Sequence, residues 1–304
     1  MADDAPLFIE AASALAIGAR ERQEDALALA FHQDASDGFA VLSDGMGGHS
    51  AGDVASRIIV AEIFAELTLH GAKTGATAPE PCALLHHAVK QANATLGAHA
   101  SASPKAKGLG GTVVATTISH GRLHWISVGD SPLYLFRNLT LTQLNADHSM
   151  APQIDLMAER GMMTPEEAQR HPDRNVLTSA LIGTEIGEVD CPKDAFSLKR
   201  DDVLIVASDG LQFLPDPVIE AVLVKTRNAS SGQIAQALLD AIGTLKDPSQ
   251  DNVSLVVMRV TAPRQAHRSL LGKLSKSKLT APWRQTRMPD PDPANDPRDT
   301  WTAR

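Results

Sequence analysis

The chain has 304 residues, of which 43% are hydrophobic, 4% aromatic and 21% charged, with a mean hydropathy of -0.11. That composition describes a soluble globular protein with an aliphatic core, one large domain or two small ones, and no apolar run long enough to span a bilayer. The net charge of -8 is uneven: residues 263–304 hold nine Lys+Arg and four Asp+Glu, so their +5 leaves residues 1–262 at -13. An acidic body argues against nucleic acid as the main ligand and suits carboxylates gathered around cations.

The opening MADDAPLFIEAAS has two early acids and no basic stretch, so it does not read as a secretory signal, and the expected location is cytoplasmic. The apolar stretch ending in Ala40-Val41-Leu42 runs into Ser43-Asp44-Gly45, a strand followed by a loop. From Asp53 to Leu69, apolar residues at Val54, Ile58, Ile59, Ile63, Phe64 and Leu67 keep the period of an amphipathic helix. A second helix is expected from Cys82 to about Ala98, through Leu84, Leu85, Ala88, Val89, Ala92 and Leu96. Three strand-like runs follow, TVVATTI, RLHWISV and PLYLF, separated only by Ser119-His120-Gly121 and Gly129-Asp130-Ser131. Gaps that short imply antiparallel hairpins, because parallel strands need long crossovers.

The segment 147–181 is polar and weakly helical. Strands VLIVAS and VSLVVMRV then flank helices near Pro217–Thr226 and Gly232–Leu245. Antiparallel strands interleaved with helix pairs predict an α+β layered sandwich. The domain is expected to fill residues 1–262. Residues 263–304, basic and then PDPDPANDP, read as a disordered tail. Its basic part interleaves Leu270, Leu271, Leu274 and Trp283, too few apolar residues to order it. Cys82 and Cys191 stand far apart without metal-ligand spacing, so neither zinc nor a disulfide is expected.

Five acidic clusters lie where strands meet turns: Glu24-Asp25, Asp44-Gly45, Asp130, Asp209-Gly210 and Asp251-Asn252. An Asp at a strand end projects a carboxylate from a rigid edge, and a neighbouring Gly lets a backbone carbonyl approach an ion. Converging, they would form an all-oxygen site for Mg²⁺, Mn²⁺ or Ca²⁺. Singly, each Asp-Gly is more often a turn residue and Asp-Asn a cap. The order of the whole set is the stronger signal.

That set resembles the PPM family, the type 2C metal-dependent protein phosphatases of bacterial type. The matching elements are RERQED, SDGMGGHSAGDVAS, GLGGTVVATTI, ISVGDSPLYLFR, ADHS, NVLTSALIG, VASDGL and QDNVSLVV, covering about residues 10–260. The resemblance implies an αββα sandwich of two antiparallel sheets flanked by helix pairs, with a flap at 147–181. It implies hydrolysis of phosphoserine and phosphothreonine by water activated at two divalent cations, Mn²⁺ or Mg²⁺. Asp44 would bridge the ions with the Gly45 carbonyl on one of them, and Asp209 and Asp251 would hold the other. Glu24 and Asp25 would bind directly or through water, Asp130 would help hold a third, weaker ion, and Arg20 would grip the substrate phosphate. The implied partners are phosphoproteins, among them a bacterial Ser/Thr kinase and its targets, met by a monomer. The sequence departs from the family pattern at Met46, where many members have His, and at Pro132, in an Arg place that makes the third site less certain. No catalytic His is assigned: His49 is read as structural and His148 as anchoring the flap. The competing readings are a phosphoprotein-binding pseudophosphatase and a hydrolase of small phosphate esters, separable by p-nitrophenyl phosphate and phosphopeptide turnover.

Overall fold

A computed structural model describes residues 6–32, 35–47, 51–71, 80–102 and 108–262. His49 and the tail 263–304 lie outside the described residues. In chain order the elements are β1 (Phe8–Ala16), β2 (Asp25–Phe31), β3 (Gly38–Met46), α1 (Ala51–Gly71), α2 (Pro81–Ala102), β4 (Gly110–Gly111), β5 (Val113–Ser119), β6 (Arg122–Val128), β7 (Leu133–Arg137), β8 (Thr140–Gln143), α3 (Ala151–Glu159), α4 (Pro165–Gln169), β9 (Phe196–Ser197), β10 (Val203–Ala207), α5 (Asp216–Lys225), α6 (Ser231–Leu245) and β11 (Val253–Thr261).

The strands form two antiparallel sheets, ordered β1-β11-β10-β7-β8 and β2-β3-β5-β6-β9, with the short β4 also pairing with β3. Three apolar clusters fill the spaces between four layers. One joins α1 and α2 to the second sheet through Ile59, Ile63, Leu85, Val41 and Ala115. A second joins α5 and α6 to the first sheet through Ile219, Leu238, Ile205 and Val257. The third lies between the sheets and holds Leu42, Val114, Leu133, Leu204 and Val256. Because the inner strands are covered on both faces, VLIVA in β10 is buried at every position and lacks the polar alternation of a half-exposed strand. The architecture is the expected αββα sandwich.

Two local expectations need correction. The β5–β6 connection is a hairpin, turning on His120 (φ 49) and Gly121 (φ 72). That pair of positive φ values suits the right-handed twist of the flanking strands. The equally short Gly129-Asp130-Ser131 is not a hairpin: β6 belongs to one sheet and β7 to the other. Those three residues carry the chain between sheets, so loop length alone misled. In addition, Asp44 and Gly45 are not in a loop, since β3 runs through them to Met46.

Candidate metal centre

Side chains alternate along a strand, so Ala40 and Leu42, which face the inter-sheet core, put Asp44 on the same face of β3. Leu27 and Leu29 of β2 do the same for Asp25. The strand register sets Asp25 directly opposite Asp44. The apolar slot between the sheets therefore ends in two facing carboxylates, a pairing that is unfavourable unless positive charge or a proton sits nearby.

Two strand ends of the first sheet close the same space. Asp209 follows β10 and opens a 3-10 turn over Asp209–Phe213, while Asp251 precedes β11. Gly45 is required for the approach: a methyl there would collide with the Gly52 carbonyl oxygen and lie 2.6 Å from that of Glu24. Gly210 is similarly pressed against the Asn252 carbonyl.

The result is a cleft of about 630 Å³ lined by, among others, Arg20, Glu24, Asp44, Gly45, Asp130, Asp209 and Asp251. Seven of the eight residues singled out in the sequence meet there. Asp25 is buried behind them and accepts a 2.8 Å hydrogen bond from Ser208 Oγ. Arg20 Nη2 donates to Asp251 Oδ2 at 2.6 Å. A second cleft of about 580 Å³ shares Asp130 and Asp209 and extends toward Asp147, Asp155 and Arg174.

The electrostatics are those of crowded anions. Burial, then Asp25, Asp209, Asp130 and Asp251, hold the Asp44 carboxyl well above the usual carboxylate range. Burial pushes Asp25 up to about 6, against the Ser208 hydroxyl. It pushes Asp130 up to about 7, helped by Asp209 and Asp147. Asp209 is raised by burial and then by Asp251. Glu24 is raised by burial, with Arg20 opposing. Asp209 Oδ1 is buried without a hydrogen-bond partner among the described residues. Such an oxygen is costly unless something else satisfies it.

Two positioning residues, Thr112 and Asn252, escaped the sequence reading. Thr112 Oγ1 accepts from Asp44 N at 3.0 Å and meets Ser131 Oγ at 2.7 Å, tying Asp44 to the turn that carries Asp130. Its signal was a hydroxyl between Gly-Gly and a strand. Asn252 was noted only as a neighbour of Asp251. Its Oδ1 accepts from Glu24 N at 2.7 Å, and its Nδ2 donates to the Ile17 and Arg22 carbonyls at 2.8 and 2.9 Å. One side chain thus fixes the loop bearing Arg20 and Glu24. His148, which the sequence already singled out, is buried, and its Nδ1 accepts from Gly129 N at 3.2 Å, which anchors the start of the 147–181 segment beside Asp130.

The family model for protein phosphatase 2C matches residues 15–242. The chain belongs to that family. It is 32% identical over 220 residues to the serine/threonine protein phosphatase PstP of Mycobacterium tuberculosis, covering 72% of this chain and 40% of that protein. It thus spans about two fifths of the length of that curated relative. The serine/threonine phosphatase stp of Listeria welshimeri is 33% identical over 194 residues, covering 62% of this chain and 73% of its own. Among solved structures, the PstP catalytic domain in complex with two manganese ions superposes with a TM-score of 0.67 at 27% identity, over 84% of this chain and 99% of that one. The two-sheet architecture described above is therefore that of a phosphatase 2C domain. No helix among the described residues is long and apolar enough to cross a membrane.

Proposed function

We propose that the chain is a protein serine/threonine phosphatase working at a centre of two divalent cations, Mn²⁺ or Mg²⁺. The observation that carries this reading is the convergence of Asp44, Asp130, Asp209 and Asp251, from separate strand ends and turns, on one cleft. The residues fit such ions: every donor is a hard oxygen, one Asp209 oxygen lacks a hydrogen-bond partner among the described residues, and burial, then mutual repulsion, raises the carboxyls in the absence of positive charge. The crystallised manganese complex of the PstP catalytic domain supports the same choice of metal.

In this reading Asp44, the Gly45 carbonyl, Asp209 and Asp251 would hold the two ions. Glu24 would serve from the facing loop, Asp25 from behind Asp44, and Asp130 would help hold a third, weaker ion. Bound cations lower the pKa of a water toward neutrality and offset phosphoryl charge. Arg20, half exposed at the rim, supplies a planar fork matched to phosphate oxygens. Thr112, Asn252 and Ser208 keep the carboxylates in place. Among the described residues no histidine lines the cleft, and Met46 occupies the position where one would serve as acid.

The substrates are phosphoserine and phosphothreonine proteins, including a bacterial Ser/Thr kinase and its targets, met in the cytoplasm by a monomer whose catalytic domain is residues 1–262. The test is turnover of a phosphothreonine peptide and of p-nitrophenyl phosphate after EDTA treatment and on return of Mn²⁺. Activity restored on both supports the reading. Activity indifferent to EDTA removes the metal centre, activity on the small ester alone removes the protein substrate, and none on either leaves a binding module.

A further inference from the structure

Cys82 and Cys191, expected to be unrelated, meet on the far side of 109 residues with their sulfurs 3.0 Å apart. His86 joins them: one donor atom from each of the three side chains lies within 4.8 Å of the others. We propose that Cys82, His86 and Cys191 form a Zn²⁺ site, with three protein ligands and a fourth position open to water.

Each ligand is placed by the fold. Cys82 and His86 are four apart on α2 and so share one face of the helix. Cys82 sits in the first turn of α2. Glu80 accepts from Cys82 N at 3.1 Å and from Ala83 N at 2.7 Å and holds that turn. Cys191 is delivered by a segment locked to β6. Ser127 and Asp190 exchange two backbone hydrogen bonds, and Trp125 Nε1 donates to Asp190 Oδ2 at 3.0 Å. All three ligands are half buried, and none lines the catalytic cleft.

The donor chemistry separates this site from the carboxylate centre. Two thiolates and an imidazole select Zn²⁺ over Mn²⁺ or Mg²⁺. The carboxylates of Glu80 and Asp190 stand beside the ligand-bearing segments, and their charge favours a divalent cation there. Tetrahedral coordination at about 2.3 Å per sulfur asks the sulfurs to separate to about 3.7 Å, a small side-chain rotation. The ion would staple the start of α2 to the strand-like segment that follows the flap.

The test uses the full chain, stripped of metal and titrated with Co²⁺ as a spectroscopic stand-in and with Zn²⁺. Wild type is expected to show sulfur-to-cobalt charge-transfer absorption and to retain one Zn²⁺ per chain in the presence of excess Mn²⁺. Cys82→Ser and Cys191→Ser should lose both signals while still hydrolysing p-nitrophenyl phosphate with Mn²⁺, which also checks that they fold. His86→Ala should bind Zn²⁺ about a hundredfold more weakly, at or beyond the loss seen for outer-shell partners. The sulfur signal must persist in Asp44→Asn, which tests this site independently of the phosphatase reading. A wild-type Co²⁺ spectrum without sulfur bands and with both thiols free overturns the proposal. So does a purified chain two hydrogens lighter with both thiols unreactive, which would make the pair a disulfide.

Discussion

Arg20 and Asp251, 231 residues apart, close an ion pair at 2.6 Å on the rim of the cleft. The side chains are 56% and 30% exposed, so the pair contributes little stability and is readily exchanged. In the proposed enzyme the two have different partners: a cation takes Asp251 and a phosphate takes Arg20. Cation binding there would release the arginine for substrate and make the ion pair a resting arrangement.

Arg20→Ala is expected to lower kcat/KM for a phosphopeptide by about 10- to 100-fold, the loss of a charge-assisted contact. Mn²⁺ affinity should hold or tighten, because Asp251 loses a competitor. Calorimetry showing weaker Mn²⁺ binding would reassign Arg20 to the scaffold of the metal site.

Asp44→Asn should reduce kcat by roughly a thousandfold or more, since it removes the proposed bridging ligand. In the metal-free protein the same change should raise stability by about 1 kcal/mol, because it removes a carboxyl whose charged form is disfavoured by burial and then by its acidic neighbours. Urea unfolding in EDTA reads the second effect. A destabilised metal-free variant would mean that Asp44 is held by favourable contacts and not by strain awaiting an ion.

The raised carboxyls make a pH prediction with a definite sign. Asp25 moves from 3.8 to about 6 and Asp130 from 3.8 to about 7 on folding. Between about pH 4 and pH 7 the folded, metal-free chain holds protons that the unfolded chain releases, so its stability falls as pH rises. Melting temperatures in EDTA should therefore decrease across that window. With Mn²⁺ the trend should flatten or reverse, as metal replaces the protons. A metal-free melting temperature that climbs from pH 5 to pH 7 contradicts the burial and crowding of these carboxyls.

Much of this site was legible in the sequence because each carboxylate stands at the end of an apolar run, and seven of the eight singled-out residues line one cleft. The sandwich was legible for the same reason in β5, β6, β10 and β11. Other features depend on pairing partners. The sequence FIEAASALA of β1 is too rich in small residues to declare a strand, yet nine register pairs with β11 make it one. The sheet change at Asp130 looks like a hairpin turn until Leu133 is seen against Val206 of β10. The contact between Cys82 and Cys191 follows from the docking of α2 on β6, which no local spacing encodes.

The flap supplies a prediction about selectivity. Arg174 forks onto Asp155 through Nη1–Oδ1 at 2.6 Å and Nη2–Oδ2 at 2.9 Å, and both line the cleft that adjoins the catalytic one. Arg174→Ala should change kcat/KM among phosphopeptides by about tenfold, the worth of one such contact, while p-nitrophenyl phosphate turnover stays nearly constant. Equal losses on both substrates would make residues 147–181 part of the scaffold.

The last prediction concerns where the folding unit ends. β11 is hydrogen-bonded on both sides, to β1 from Val253 through Thr261 and to β10 from Leu255 through Arg259. Its inward residues Val256, Met258 and Val260 complete the inter-sheet core, and Val253, Leu255 and Val257 complete the cluster under α5 and α6. Among the described residues, neither apolar cluster draws on one past Val260. A chain ending at Ala262 is thus expected to stay soluble, to melt within a few degrees of the full-length protein, and to keep Mn²⁺-dependent hydrolysis of p-nitrophenyl phosphate. Removing residues 263–304 also removes their +5 and leaves the domain at -13, so solubility near neutral pH should hold or improve. Insolubility or lost activity on the small ester would place part of the fold beyond Ala262. Loss confined to phosphoprotein substrates would leave the boundary intact and give the basic tail a role in recruiting them.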